Sequence, residues 1–455
     1  MRLSSLAALV LLAPVAFCQT SETREFKSIN PTVRKIVDAV SQDRIAETLK
    51  KLESFGTRNT NSGTISPTQG IEPARQWIFD QFKSFSPRLQ VRLDTFHVPK
   101  GGRVTQDVDI ANVVAVLPGT TEPDRIFVIG GHYDTINMTR PDPNNPQPFP
   151  PAPGVDDDGS GTATTLELAR IMSQYEFRHT IVFIAFVAEE QGLLGATHFA
   201  QEARKANQLI DGVLNNDIIG TAVAGNGRSD THSIHIFSPE PMDSNARQLA
   251  RYVKEIGERY VPEMDVQLIY RADRFGRGGD HTPFNREGFA AVRFTTANEN
   301  FSHQHSIQDN FENVSVPYVT RVAKVDAAAL ASLALAPKAP VTMREGRQPG
   351  QLAPMLDRGT SGYDAHLRWN DPNPPADLAG YAVVMRSTLA PYWEKEVFVG
   401  KVNEYTMPNV SIDEWVFGVK AVDKAGNESL VSAYAPAESA PAARPASARP
   451  APAAK

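Results

Sequence analysis

At 455 residues the chain is too long for one ordinary domain and predicts two or three. Hydrophobic residues (41%) and charged residues (22%) are present in globular proportions, and 46 Lys+Arg against 52 Asp+Glu, a formal charge of −6, exclude a strongly basic nucleic-acid-binding domain as the main identity. A single cysteine excludes a disulfide framework and any multi-Cys zinc or iron–sulfur site, so metal chemistry must run on His, Asp and Glu.

In chain order, Arg2 and the apolar run 6–17 read as a secretory signal over residues 1–18, cleaved near Cys18. The run is shorter than the roughly 20 residues that a membrane-spanning helix needs. A secreted or periplasmic location follows as an expectation; lipid anchoring at Cys18 is the lesser alternative, because Phe17 is bulky where such signals want a small residue. No second long apolar run occurs, so no transmembrane segment is expected. Residues 31–57 carry Val33, Ile36, Val37, Val40, Ile45, Leu49 and Leu52 at helical spacing. A Thr/Asn/Ser/Gly-rich loop (57–70) leads to a helix with Pro73 near its start and Ala74, Trp77, Ile78, Phe82 and Phe85 on one stripe. Strands are expected at 89–98, 109–117, 126–131, 180–187, 212–216, 233–237 and 290–294. Helices are expected at 160–173, 193–207, 243–260 and 317–335. Apolar strands alternating with amphipathic helices predict an α/β domain over 25–337: a mixed, largely parallel sheet covered by helices on both faces.

After 336–340 (Ala-Pro-Lys-Ala-Pro) the texture changes. Alternation at Tyr363, Ala365, Leu367 and Trp369, and again at Trp415, Phe417, Val419 and Ala421, predicts a small all-β sandwich over 341–435. The Ala/Pro-rich tail 436–455 lacks core-forming residues and is expected to be disordered.

Five segments carry chemistry. His132 and Asp134, at the carboxyl end of an apolar strand, project to the same side, so one imidazole nitrogen can bind a metal while the other faces the carboxylate. Asp156, Asp157 and Asp158 precede a helix; Asp158 suits its cap, but three adjacent acids repel unless a cation is near. Glu189 and Glu190 follow a buried strand, an expensive place for paired carboxylates unless something offsets them. One can bind metal while the other addresses a water. Asp217 ends another apolar strand, and the segment 302–309 offers His303 and His305. Asp280 reads as a supporting carboxylate or a structural turn. Sequons at Asn137, Asn300, Asn313, Asn409 and Asn427 are read as chance occurrences.

In this order, the segments resemble the M28 class of zinc aminopeptidases: His-x-Asp (132/134), Gly-x-Asp-Asp-x-x-Ser-Gly (154–161), Glu-Glu-x-Gly-Leu-x-Gly (189–195), an Asp after Asn (217) and His-x-x-x-Asp (305/309). The resemblance covers 25–337, including 52–58 (Leu-Glu-Ser-Phe-Gly-Thr-Arg), and implies a zinc-exopeptidase-like fold. It implies one Zn²⁺ held by His132, Asp156 and Asp217, and a second held by Asp156, Glu190 and His305. Asp156 would bridge, with a cis bond to Asp157, and His305 is selected over His303. Glu189 is implied as general base, acting on a hydroxide shared by the two ions, and Asp134 as the residue orienting His132. Oxygen ligands plus imidazole, without thiolate, suit Zn²⁺, with Mn²⁺ or Co²⁺ as substitutes. The expected activity is aminopeptidase action on peptides with a free N-terminus. Carboxypeptidase action, glutaminyl cyclisation or a non-catalytic receptor or adhesion role are the alternatives. The stretch 141–153 is expected at the rim of the cleft. Segments 363–369, 380–381 and 419–429 resemble a fibronectin type III domain, which implies contact with a surface or polymer or packing on the enzyme.

Overall fold

The computed structural model describes residues 29–139, 148–347 and 351–435. The expected signal (1–18) and tail (436–455) lie outside them, as do residues 141–147 of the expected rim. Where sequence spacing predicts one helix over 31–57, there are two, α1 (Pro31–Asp38) and α2 (Gln42–Glu53). Ser41 separates them. Its hydroxyl accepts from the Arg44 amide, and its own amide donates to Glu167 (2.9 Å), so a distant carboxylate takes the donor that would have continued the first helix.

Next come α3 (Ile71–Phe85), β1 (Gln90–Val98), β2 (Val108–Leu117), β3 (Glu122–His132), α4 (Gly159–Met172), β4 (His179–Phe186), α5 (Leu194–Lys205) and β5 (Leu209–Asn216). They are followed by β6 (Ser233–Phe237), α6 (Asn245–Tyr260), β7 (Asp265–Ile269), α7 (His281–Arg286), β8 (Ala291–Thr296) and α8 (Val316–Leu335). One sheet takes the order β1-β2-β4-β3-β5-β8-β6-β7. Its centre, β4-β3-β5-β8, is parallel, while β1/β2, β2/β4 and β8/β6 pair antiparallel. Period-two alternation divides β4 between two cores. Ile181, Phe183 and Ala185 pack with α1–α4, α6 and α8, whereas Val182, Ile184 and Phe186 pack with α5 and α7. Both faces are therefore covered, as the continuous apolar runs require.

Strand β7 and helix α7 are among the elements that escape the sequence reading. Strand β7 is a short, half-exposed edge strand with little alternation, and α7 begins where a turn at Asp280 was expected. No helix of the described residues is long and apolar enough to cross a membrane.

After α8, β9 (Met343–Glu345) and β10 (Leu352–Pro354) form a hairpin. Two further sheets follow. The first joins β11 (Leu356–Asp357), β12 (Ala365–Arg368) and β15 (Glu404–Met407); the second joins β13 (Leu378–Ser387), β14 (Lys395–Gly400), β16 (Trp415–Asp423) and β17 (Ser432–Ala433). Leu367, Trp369, Tyr381, Val383 and Phe417 fill the core between them. This sandwich docks on α6. Tyr252 donates to Glu428 O (3.1 Å), Arg259 pairs with Glu428 (2.6 Å) and Arg386 with Asp243 (2.8 Å). Glu255, Glu396 and Glu428 converge as a metal site would, but the buried Lys420 ammonium stands among them and is their counter-ion. Asn300 and Asn427 are buried, so neither sequon presents an open acceptor.

Candidate metal centre

The site lies beyond the carboxyl ends of β3, β4 and β5. The chain runs from β3 to β4 on one side and then crosses to β5 on the other, the kind of crevice in which open α/β sheets bind ligands. Strand β3 delivers His132, the turn after β4 delivers Glu189 and Glu190, and the end of β5 delivers Asp217. The loop before α4 delivers Asp157, and the segment before α8 delivers His305.

Close backbone approach explains the glycines. A Cβ on Gly131 would stand 2.5 Å from Asp158 Oδ2, and one on Gly161 would stand 2.5 Å from Asn216 O. With hydrogen there instead, Asp158 caps α4 through the Gly161 amide (2.9 Å) and accepts from the His132 amide (3.0 Å). The capping role expected of Asp158 is what the structure shows. Ala188, Leu193, Ile218 and His305 have positive φ, between 54° and 62°. Each such non-glycine residue costs about 1–3 kcal/mol, and strain of this kind gathers at functional sites. Three of the four adjoin or are site residues.

Two groups of donor atoms result, each closing within 4.8 Å: His132, Glu189 and Asp217 in one, Asp157, Glu190 and His305 in the other. Asp157 stands between them. Its Oδ1 is 3.1 Å from His132 Nε2 and its Oδ2 is 3.1 Å from His305 Nε2, while Glu190 Oε1 is 3.0 Å from His305 Nε2. Asp217 Oδ1 lies 3.9 Å from His132 Nε2.

The expected place of Asp156 is corrected by one residue. Its carboxylate turns away to accept from the Gly220 amide (2.6 Å) and the Thr221 hydroxyl, and the cis peptide is Asp157–Asp158. In a run of three aspartates the sequence leaves this register open. The backbone decides it, because the Asp309 carboxylate accepts from the amides of both Asp156 (2.7 Å) and Asp157 (2.9 Å).

Asp134 also differs from its expected role. His132 Nδ1 lies 3.1 Å from the Asp134 carbonyl and 3.6 Å from its carboxylate. That carboxylate accepts instead from the Glu189 (3.0 Å) and Glu190 (3.2 Å) amides, so Asp134 holds the imidazole by its backbone and the glutamate turn by its side chain. His303 pairs with Asn300, away from the donor groups. Asp280 is buried, and neither of its oxygens has a hydrogen-bond partner.

Three residues that the sequence reading gave no role complete the site. Buried Arg293 on β8 donates to Asp217 Oδ2 (2.6 Å). Buried Arg58 donates to the carbonyls of Leu52, Tyr133, Pro153 and Gly154, tying the end of β3 to the aspartate loop. Burial pulls its guanidinium down to about 10, against the field of Asp309 and Asp134. Asp309, matched only as part of a motif, secures the aspartate loop. The Gly-Thr-Arg motif at 56–58 was the one available signal for Arg58; nothing marked Arg293.

The electrostatics fit a cation. Burial drives Glu189 well above the usual carboxylate range, and Glu190, Asp217 and Asp280 add to the effect. Burial and Asp157 raise Glu190 as well. Asp157 is held well below that range: burial opposes its charge, but His132 and His305 outweigh it. His132 Nε2 and Glu190 Oε1 are buried and, although close to Asp157 and His305, are not aligned to hydrogen-bond with them. Orphaned donor atoms facing packed carboxylates, with no thiolate, form the donor set of a zinc pair.

The model of peptidase family M28 matches residues 112–330. A probable zinc metalloprotease from Leptosphaeria maculans is 37% identical over 421 residues, covering 86% of this chain and 94% of its own. One from Phaeosphaeria nodorum is 36% identical over 442 residues, covering 87% of this chain and 86% of its own. Among solved structures, LapB from Legionella pneumophila superposes with a TM-score of 0.53 at 22% identity, covering 70% of this chain and 78% of its own. Macrostomum lignano glutaminyl cyclase does so with 0.52 at 15% identity, covering 67% and 92%. These structural likenesses extend to the fold, which both kinds of protein share.

Proposed function

The chain belongs to peptidase family M28 and is a zinc metallopeptidase, and from that premise we propose that it is a secreted aminopeptidase acting on peptides with a free N-terminus. One zinc is assigned to His132, Asp157 and Asp217, the other to Asp157, Glu190 and His305, with Asp157 as the bridge. Zinc held there would lower the pKa of a bound water and polarise the scissile carbonyl. Glu189 is the general base. It is the one donor of its group left free by this assignment, and it lines the cavity beside the pair, where it can take the water's proton and return it to the leaving amine. Arg293 keeps Asp217 in place, Asp309 and Arg58 keep the aspartate loop in place, and Asp134 keeps Glu189 and Glu190 in register.

The observation that carries this reading is the Asp157 carboxylate, one oxygen 3.1 Å from each imidazole, with Glu189 adjoining. The acidic surroundings favour a cationic α-amine at the end of the substrate. Glutaminyl cyclisation on one metal, the competing use of this fold, leaves the second complete group unexplained. We read the C-terminal sandwich as fibronectin type III-like, docked on α6, with exposed Tyr363 and Leu389 as its points of surface or polymer contact.

The test uses amino-acid anilides with free and N-acetylated amines, and an N-terminal glutamine peptide in parallel. Cleavage confined to free-amine substrates, abolished by a chelator and by Glu189→Gln, is expected. Equal cleavage of the acetylated set removes the aminopeptidase reading; cyclisation of the glutamine peptide without anilide hydrolysis replaces it.

A further inference from the structure

The donor groups form only part of the wall of a cavity of about 480 Å³; Arg103, Arg274 and Arg277 also line it. Their charges are unequally compensated. Arg274 lies between Asp273 (3.0 Å) and Glu299 (3.0 Å). Arg277 must share that same Glu299 oxygen (2.9 Å) and is otherwise held by Gln304 Oε1 (3.2 Å) and the Phe301 ring, 5.9 Å from its guanidinium carbon to the centroid. Arg103 donates to the Glu190 carbonyl (2.7 Å) and has no carboxylate partner among the described residues. One guanidinium, Arg103, is thus oriented at the cavity with no carboxylate of its own, and a second, Arg277, holds a carboxylate that it shares with Arg274.

We propose that this cavity selects an acidic residue at the substrate's N-terminus, its side-chain carboxylate bound by Arg103 and Arg277. The inference rests on the aminopeptidase reading above. The α-amine and scissile carbonyl meet the carboxylate and zinc wall, and the side chain points to the arginines. A planar guanidinium fork matches a carboxylate in two hydrogen bonds, and pre-ordering by Glu299, Gln304 and Phe301 reduces what Arg277 loses on binding. A basic side chain in the same place meets two like charges, so the same groups act against it.

The test compares kcat/KM for the 4-nitroanilides of glutamate, glutamine, leucine and lysine, using the full zinc-loaded chain. Glutamate is expected to exceed glutamine, its neutral isostere, by tenfold or more, with lysine the poorest. The glutamate-to-glutamine ratio is expected to fall toward one in Arg103→Gln and Arg277→Gln and to fall only in part in Arg103→Lys, which keeps the charge without the fork. Because the ratio is read within each protein, a partial loss of folded material does not move it. Hydrolysis of glutamine and leucine anilides with glutamate no better overturns this inference and leaves the aminopeptidase reading standing. A high ratio unchanged in both glutamine variants overturns the assignment to these arginines. Hydrolysis of none of the four overturns the aminopeptidase reading, and this inference with it.

Discussion

Asp157→Asn and Asp156→Asn differ by one position in the chain, and the structure assigns them different consequences. Asp157 presents one oxygen to each half of the site, 3.1 Å from His132 and 3.1 Å from His305. Asparagine would keep one oxygen, replace the other with an NH₂ group that cannot ligate, and remove the charge shared by both cations. Removing one partner from a buried ionic network costs about 3–5 kcal/mol. At about 1.4 kcal/mol per tenfold, that is a loss of roughly a hundred- to several-thousand-fold in metal affinity. The Asp156 carboxylate accepts from Gly220 and Thr221, away from the imidazoles, and asparagine retains an acceptor for one of them. Its loss is that of a supporting contact, roughly tenfold. Zinc per chain, measured by elemental mass spectrometry after gel filtration, with kcat/KM on a free-amine anilide, separates the two. Asp157→Asn is expected to retain less zinc than the parent and to lose at least about a hundredfold in kcat/KM, while Asp156→Asn keeps its zinc. The reverse pattern would refute the placement of the bridge.

Chelation is expected to lower the melting temperature as well as abolish activity, because zinc binds the folded state and its removal leaves buried carboxylates facing one another; calorimetry with and without chelator, then with zinc restored, checks this. Lys420→Met removes the buried cation at the centre of Glu255, Glu396 and Glu428, leaving Arg259 to pair with Glu255 and Glu428 alone, and should destabilise the chain by about 3–5 kcal/mol, with the sandwich loosened from α6 and more readily cleaved by a protease. Asp326 on α8 is fully buried, and burial lifts its carboxyl well above the usual range, with only Asn216 opposing. A raised folded-state value means that the native state holds the proton. Its contribution to stability is full below about pH 3.9, the unfolded value, and is lost as pH rises through the folded value. Asp326→Asn mimics the protonated form, so its melting temperature should exceed the parent's at pH 8 and match it at pH 4; an equal difference at both would contradict the assignment.

Much of this was legible in the residues themselves. Period-two and helical spacing located most of the elements around the site, because the buried strands are nearly continuous apolar runs and their helices carry clear stripes. His132, Glu189, Glu190, Asp217 and His305 could be picked out because each follows an apolar strand or lies in a recognisable motif. What the chain order could not supply was direction. Three successive aspartates are chemically equal until Asp309, more than 150 residues later, pins two of their amides and turns one side chain toward the imidazoles. Arg293 looked like an ordinary strand residue until β8 came to lie beside β5, and Asp134 changed partners because the glutamate turn folded over it. Local composition sets which side chains can bind a metal. Which oxygen faces the imidazoles, and which guanidinium faces the substrate, depends on hydrogen bonds between segments far apart in sequence, and those exist only once the sheet has assembled.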